Sequence, residues 1–199
     1  MKDRDAPPRS DSLLLSGNYE YMTEGYFECQ DAELAGRAGV MPTCADALDA
    51  YVVPIALEKA AKAGIAVPEW ILTHEYFPVP AVCYGVNPFS RRHELVTDES
   101  ARRAVARRLT SNFRYSMCCE LVTPDARLAE FRMVCGRTTS PEFAGWADRV
   151  FSVFRVPLAT VRVICAETTM LSAIEILPRR VLTPLELEWA RELGEAPRG

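Results

Sequence analysis

Seven cysteines and two histidines are the side chains of this sequence best suited to covalent chemistry. A cysteine attacks as its thiolate and needs an imidazole or comparable cation beside it. Cys118 and Cys119 are adjacent, and His74 follows an expected strand, so one reading is a small enzyme with Cys118 or Cys119 as nucleophile and His74 as base. The competing reading is structural: neighbouring cysteines in a strand point to opposite faces, one buried and one exposed. Cys83, Cys135 and Cys165 sit in alternating apolar runs, where a free cysteine acts as a small core hydrophobe. An odd cysteine count without C-x-x-C or H-x-x-x-H spacing argues for reduced thiols, and no metal ligand is assigned.

Other residues suit binding rather than bond making. Positions 16–25 form a loop between a short apolar strand at 12–15 and a helix that starts near Thr23. In open α/β folds ligands collect beyond the carboxyl ends of strands, where a helix start also presents unpaired N–H groups. The expected ligand-binding residues are therefore Ser16, Asn18, Tyr19, Tyr21, Gly25 and Tyr26. The tyrosine rings can stack and hydrogen-bond, and Gly25 permits close backbone approach, although the same tyrosines would also serve as core edges. Glu20 repels anions and tilts the ligand towards an amine-bearing group such as an amino acid or peptide. A further set is basic: Arg102, Arg103, Arg107 and Arg108 fill much of one side of a helix capped by Thr97 or Asp98. They read as a solvated face or as a partner-binding site for an acidic surface.

The elements that position these residues follow from periodicity and punctuation. Helices are expected over 23–35, from Thr43 towards Gly64 with a kink or restart at Pro54, after Asp98, over 140–154 and from Thr183 to 193. Strands are expected at 40–41, 70–73, 81–86, 115–122 and 130–135, and as a hairpin of 159–165 with 170–177. His93 falls in a charged loop. The resulting fold class is α/β, with α+β as the variant: a single domain over 12–199 with a small parallel or mixed sheet and an antiparallel C-terminal set of strands packed on helices. Residues 1–11 are expected to be a flexible tail.

Composition bounds the function. The chain has 199 residues, 49% hydrophobic and 25% charged, so it can bury a core without disulfides or metal. Its formal charge of −4 is too acidic for a general nucleic-acid coat. No apolar run approaches the ~20 residues of a spanning helix, and the charged N-terminus is no secretory signal, so no membrane role and a cytoplasmic location are expected. Neither G-x-x-x-x-G-K-[ST] nor G-x-G-x-x-G occurs, nor G-x-S-x-G, nor H-E-x-x-H.

Two stretches together resemble a known family. The first is Asn18-Tyr19-Glu20-Tyr21-Met22-Thr23-Glu24-Gly25-Tyr26-Phe27 with Met41-Pro42-Thr43 after it. The second runs from Glu130 to Arg137, through Phe151-Ser152-Val153-Phe154-Arg155-Val156-Pro157-Leu158, to Leu171-Ser172-Ala173-Ile174-Glu175-Ile176-Leu177-Pro178. In order and spacing they resemble the RimK-like ATP-grasp N-terminal domain, which precedes the catalytic domain of a group of carboxylate-amine ligases. Ala63-Gly64-Ile65-Ala66-Val67-Pro68 is also similar to the Gly-Ile-x-Val-Pro that opens many ATP-grasp domains. The resemblance implies an accessory or substrate-recognition module acting with a separate ATP-grasp ligase. ATP and magnesium are then expected only in that partner, with no cofactor in this chain. Arg137, which closes the strand resembling the family's Gly-Arg, would supply a bidentate contact to a ligand carboxylate.

Overall fold

The computed structural model describes residues 18–86 and 92–195, with side chains described through 192. The expected tail at 1–11, the strand at 12–15, Ser16 and the turn at Asn87-Pro88 lie outside the described residues.

Short-range signals set most of the helix starts. Thr23 is extended and its hydroxyl accepts from the Tyr26 N–H, which opens α1 (Glu24–Leu34). Thr43 and Asp46 exchange side-chain to backbone hydrogen bonds of 3.0 and 3.2 Å at the start of α2 (Cys44–Tyr51). Pro54 has no N–H to continue that helix, so Val52 becomes extended and α3 (Val53–Lys62) restarts with the proline in its first turn. Then come β1 (Trp70–Thr73), β2 (Ala81–Gly85) and β3 (His93–Val96). Asp98 caps a 3₁₀ turn that leads into α4 (Arg102–Leu109). β4 (Met117–Leu121), β5 (Arg127–Val134), α5 (Ala144–Phe154), β6 (Leu158–Cys165) and β7 (Thr169–Ile176) follow. The reciprocal Thr183–Glu186 pair opens α6 (Pro184–Glu195).

The chain divides into two compact units, both discontinuous in sequence. Unit 1 takes its described residues from Met1–Leu48, Phe131–Thr160 and Ile176–Gly199, and unit 2 from Asp49–Glu130 and Val161–Glu175. In unit 2 a four-stranded sheet runs in the order β1-β4-β2-β3, with every pairing antiparallel. A parallel or mixed sheet was expected. The seven residues between β2 and β3 are fewer than the dozen or so that a parallel crossover takes, and β4 inserts between β1 and β2 in the same antiparallel sense. Cys83, Met117 and Cys119 face Val105 and Leu109 of α4, whereas Val82, Tyr84 and Cys118 face Val53 and Leu57 of α3. Both faces of the sheet are therefore covered. The expectation that one of the paired cysteines is exposed is corrected on that ground, since Cys118 and Cys119 are both fully buried.

The second sheet has the order β5-β6-β7, and three residues join β6 to β7 in the expected antiparallel hairpin. In unit 1, α1 buries Tyr26, Cys29 and Ala32, and α5 buries Ala147, Val150 and Phe154. Phe131 and Phe143 stack at 4.7 Å. The class is α/β, as the sequence indicates, with antiparallel sheets in place of the parallel or mixed one expected.

Candidate functional site

Asn18 anchors the loop of unit 1 singled out by the sequence. Its Oδ1 accepts from the Glu20 N–H at 3.1 Å, its Nδ2 donates to the Glu20 carboxylate at 2.7 Å, and its carbonyl accepts from the Thr23 hydroxyl. This folding brings the backbone of Asn18 against Gly25: a Cβ at Gly25 would lie 2.5 Å from the Asn18 carbonyl oxygen. The close approach that Gly25 permits is thus to its own loop. Tyr19 and Tyr26 are buried, and burial pushes the Tyr19 phenol above its ordinary pKa. Tyr21 is partly exposed and meets Tyr26 edge to face at 5.2 Å. Of the expected ligand residues, only Asn18 borders a pocket described here. Arg137 pairs with Glu192 at 2.6 Å and is not among that pocket's lining.

The pocket has a volume of about 520 Å³ and opens to solvent. Pro178, Leu182 and Leu187 give it an apolar floor, and Arg179, Arg180 and Arg191 bring three guanidinium groups to it. Pro178 ends the chain's exit from β7, the 3₁₀ turn Arg179–Val181 carries the first two arginines, and α6 carries the third. Glu186 is used elsewhere: it closes the α6 cap and takes Arg132 at 2.8 Å. Among the described residues no acidic side chain lines the pocket, so its chemistry is that of a fork for carboxylate or phosphate oxygens. The sequence signal for it is the pair Arg179-Arg180 shortly after the end of β7.

The basic helix α4 is tied down locally. Arg102 pairs with Glu99 and lies 4.5 Å over the Tyr76 ring, Arg103 faces Glu75 at 3.6 Å, and Arg107 donates to Asn112. Arg108 grips Glu94 with two nitrogens, a pairing that raises its pKa. The cysteine chemistry lacks its partners. The exposed His74 ring approaches the Tyr115 carbonyl at 3.3 Å, while Cys118 and Cys119 lie inside the sheet and burial pushes the Cys118 thiol up. A thiolate nucleophile needs the opposite shift.

Unit 2 holds a polar network that sequence reasoning missed. Arg162 of β6 is 4% exposed, and its Nη2 reaches both Glu130 of β5 and, at 2.9 Å, Glu175 of β7. Its Nη1 faces the Tyr84 hydroxyl, which shares a 2.7 Å hydrogen bond with Ser172; the Ser172 hydroxyl then donates to the buried Glu120. Oε1 of Glu120 has no partner, and burial holds this carboxyl well above the usual range. His93, expected in a loop, stands in β3 opposite Tyr84 with the rings stacked at 5.6 Å. Burial and then the Arg162 charge lower its pKa.

No protein-family model matches the sequence, and no curated protein matches it. Solved structures do. A RimK domain ATP-grasp protein from Sphaerobacter thermophilus superposes with a TM-score of 0.59 at 16% identity, covering 81% of this chain and 72% of that one. D-alanine-D-alanine ligase from Helicobacter pylori gives 0.62 at 14% identity, covering 86% and 68%. The fold is ATP-grasp-like. The likeness spans most of the chain, beyond the two end stretches that carry the sequence resemblance. The ATP-grasp ligase PsnB, in a complex with precursor peptide PsnA2 and AMPPNP, matches with a TM-score of 0.52 at 13% identity, covering 83% of this chain and 61% of that one.

Among the described residues no three His, Cys, Asp or Glu side chains group so as to hold a metal ion. The paired carboxylates of the second sheet, Glu130 and Glu175, already hold a guanidinium. No helix among the described residues is long and apolar enough to cross a membrane.

Proposed function

We propose that this chain is a recognition module related to ATP-grasp ligases, which presents an acidic amino acid or peptide to a separate ligase that supplies ATP and magnesium. The observation that carries the reading is the ATP-grasp-like fold combined with an arginine-lined pocket in unit 1. The ligand class rests on the pocket of Arg179, Arg180 and Arg191, whose charge favours an acid over the amine that Glu20 suggested. Glu20 is turned to the Asn18 amide. A peptide is supported by the PsnB complex, whose fold this chain shares and which holds one.

The reading is tested by anisotropy of a fluorescent glutamate-rich peptide against a lysine-rich control, in wild type and in Arg180→Ala/Arg191→Ala. Binding of the acidic peptide alone, weakened by salt and lost in the variant, is expected. Equal binding of both peptides, or an unaffected variant, overturns the ligand assignment. Co-purification of an ATP-grasp ligase from the native host tests the accessory role. Its failure, together with ATP turnover by the isolated chain, would end that role.

A further inference from the structure

The carboxylates of unit 2 are arranged about one atom. Glu130 and Glu175 stand on the two strands that flank β6 in the sheet, and their Oε1 atoms both meet the same nitrogen, Nη2 of Arg162. Nε of the same guanidinium returns to Glu130 at 2.7 Å, and its Cζ lies 5.8 Å from the Tyr84 ring centre. One positive centre thus bridges two oxygens from different strands. A divalent cation bridges oxygens in the same way at 2.0–2.6 Å, completing its shell with water and needing only one or two carboxylates when it keeps its hydration. The glutamate side chains are 49% and 31% exposed, so water reaches the carboxylate side, whereas Arg162 arrives from the buried side.

The charge inventory points the same way. Two carboxylates, Glu130 and Glu175, face one guanidinium, whereas Glu120, behind Tyr84 and Ser172, is held towards its neutral form by burial and adds no charge. His93, the remaining basic group against Tyr84, is less basic than usual. Removing the one buried cation would leave uncompensated negative charge in a half-enclosed site, the condition under which a carboxylate pair recruits a metal ion. A guanidinium does not deprotonate in proteins and is bound covalently to the chain, so it cannot be chelated, exchanged or titrated away.

We propose that Arg162 is a built-in substitute for a divalent cation: it permanently fills a cation position formed by Glu130 and Glu175, and its removal opens that position to metal. The inference does not depend on the ligand pocket of unit 1. It assigns unit 2 a metal-independent structural state and places any metal-dependent chemistry outside this cluster.

The test is a Mn²⁺ titration followed by electron paramagnetic resonance, with thermal melts in Mn²⁺ and in EDTA. Wild type should take up no Mn²⁺ at this cluster and melt identically in both. Arg162→Gln should melt lower in EDTA, bind one Mn²⁺ and recover part of the loss when it is present, and Glu175→Gln added to it should abolish the uptake. Arg162→Lys keeps the charge, so it should stay closed to Mn²⁺; it serves as the folded control if the glutamine variant does not fold. A wild-type protein that binds Mn²⁺ and loses it on Glu175→Gln overturns the proposal. A folded Arg162→Gln without metal uptake, or an Arg162→Lys that binds Mn²⁺ as well as any neutral variant, does the same.

Discussion

Arginine is used in opposite ways in the two units. In unit 2, Arg162 is sealed under the strands and every oxygen near its guanidinium belongs to a neighbouring strand or to Tyr84. In unit 1, Arg180 and Arg191 are exposed at a pocket rim, and neither has an ion pair among the described residues. Burial explains the contrast. A desolvated charge is tolerated only with its partners in place, so Arg162 is bound into the architecture. An exposed guanidinium keeps its water, and its partner can be a ligand that comes and goes.

The contrast predicts a graded series of effects. The largest should follow Glu130→Gln combined with Glu175→Gln, which strands the buried guanidinium: about 3 kcal/mol lost in urea denaturation, the low end for a broken buried pair because water reaches both glutamates. A loss no greater than a surface substitution would show that Arg162 is wetter than its burial implies. Gly25→Ala comes next. Its Cβ would meet the Asn18 carbonyl at 2.5 Å, so the loop must shift at a cost of ~2 kcal/mol, and the ligand pocket should lose its Asn18 wall and bind more weakly.

Glu120→Gln should act with the opposite sign. In the folded state the Glu120 pKa is raised, so its stabilising contribution is complete below the ordinary glutamate range. It is lost as pH climbs from there towards the raised folded value, because the unfolded chain gives up its proton first. Glutamine cannot ionise. Stability curves of the two proteins should therefore diverge in favour of the variant as pH rises from about pH 4 to pH 7. Parallel curves would mean that Glu120 titrates normally. The smallest effect on stability belongs to Arg180→Ala and Arg191→Ala, within ~0.5 kcal/mol of wild type, while acidic-peptide binding is lost. A large loss of stability would make these arginines structural and erase the contrast.

Local rules made much of the fold legible. Thr23, the Thr43–Asp46 pair, Pro54 and the Thr183–Glu186 pair each act within four residues, and the helix starts they predict are the ones observed. Non-local facts were not legible. β3 is short and charged, and only its register against β2 makes His93 a strand residue. Cys118 and Cys119 were expected to differ in exposure because nothing in the sequence says that helices cover both faces of their sheet. Arg162, Glu120 and Glu175 each interrupt an apolar strand, and that is a usable sign, since a charge in a buried run requires a partner. Which residues pair is decided by strand order, with 32 and 13 positions separating Arg162 from Glu130 and Glu175. The ligand loop was placed by a rule about strand ends in parallel sheets, which does not carry over to the antiparallel sheets observed.

The interleaving of the two units bears on how the protein is made. Unit 2 takes most of its residues from Asp49–Glu130, yet Arg162, Ser172 and Ala173 belong to its network and core, and they are synthesised after the rest of that unit, in Val161–Glu175. A ribosome adding ~5–20 residues per second will expose the four-stranded sheet for seconds before the strands that supply those residues emerge. Through that interval Glu120 and Tyr84 lack Ser172, and Cys118 and Val82 lack Ala173 beside them. Unit 2 therefore cannot close once Glu130 has been made; it waits for Val161–Glu175, and that interval is when its sheet is most exposed to chaperones and to aggregation.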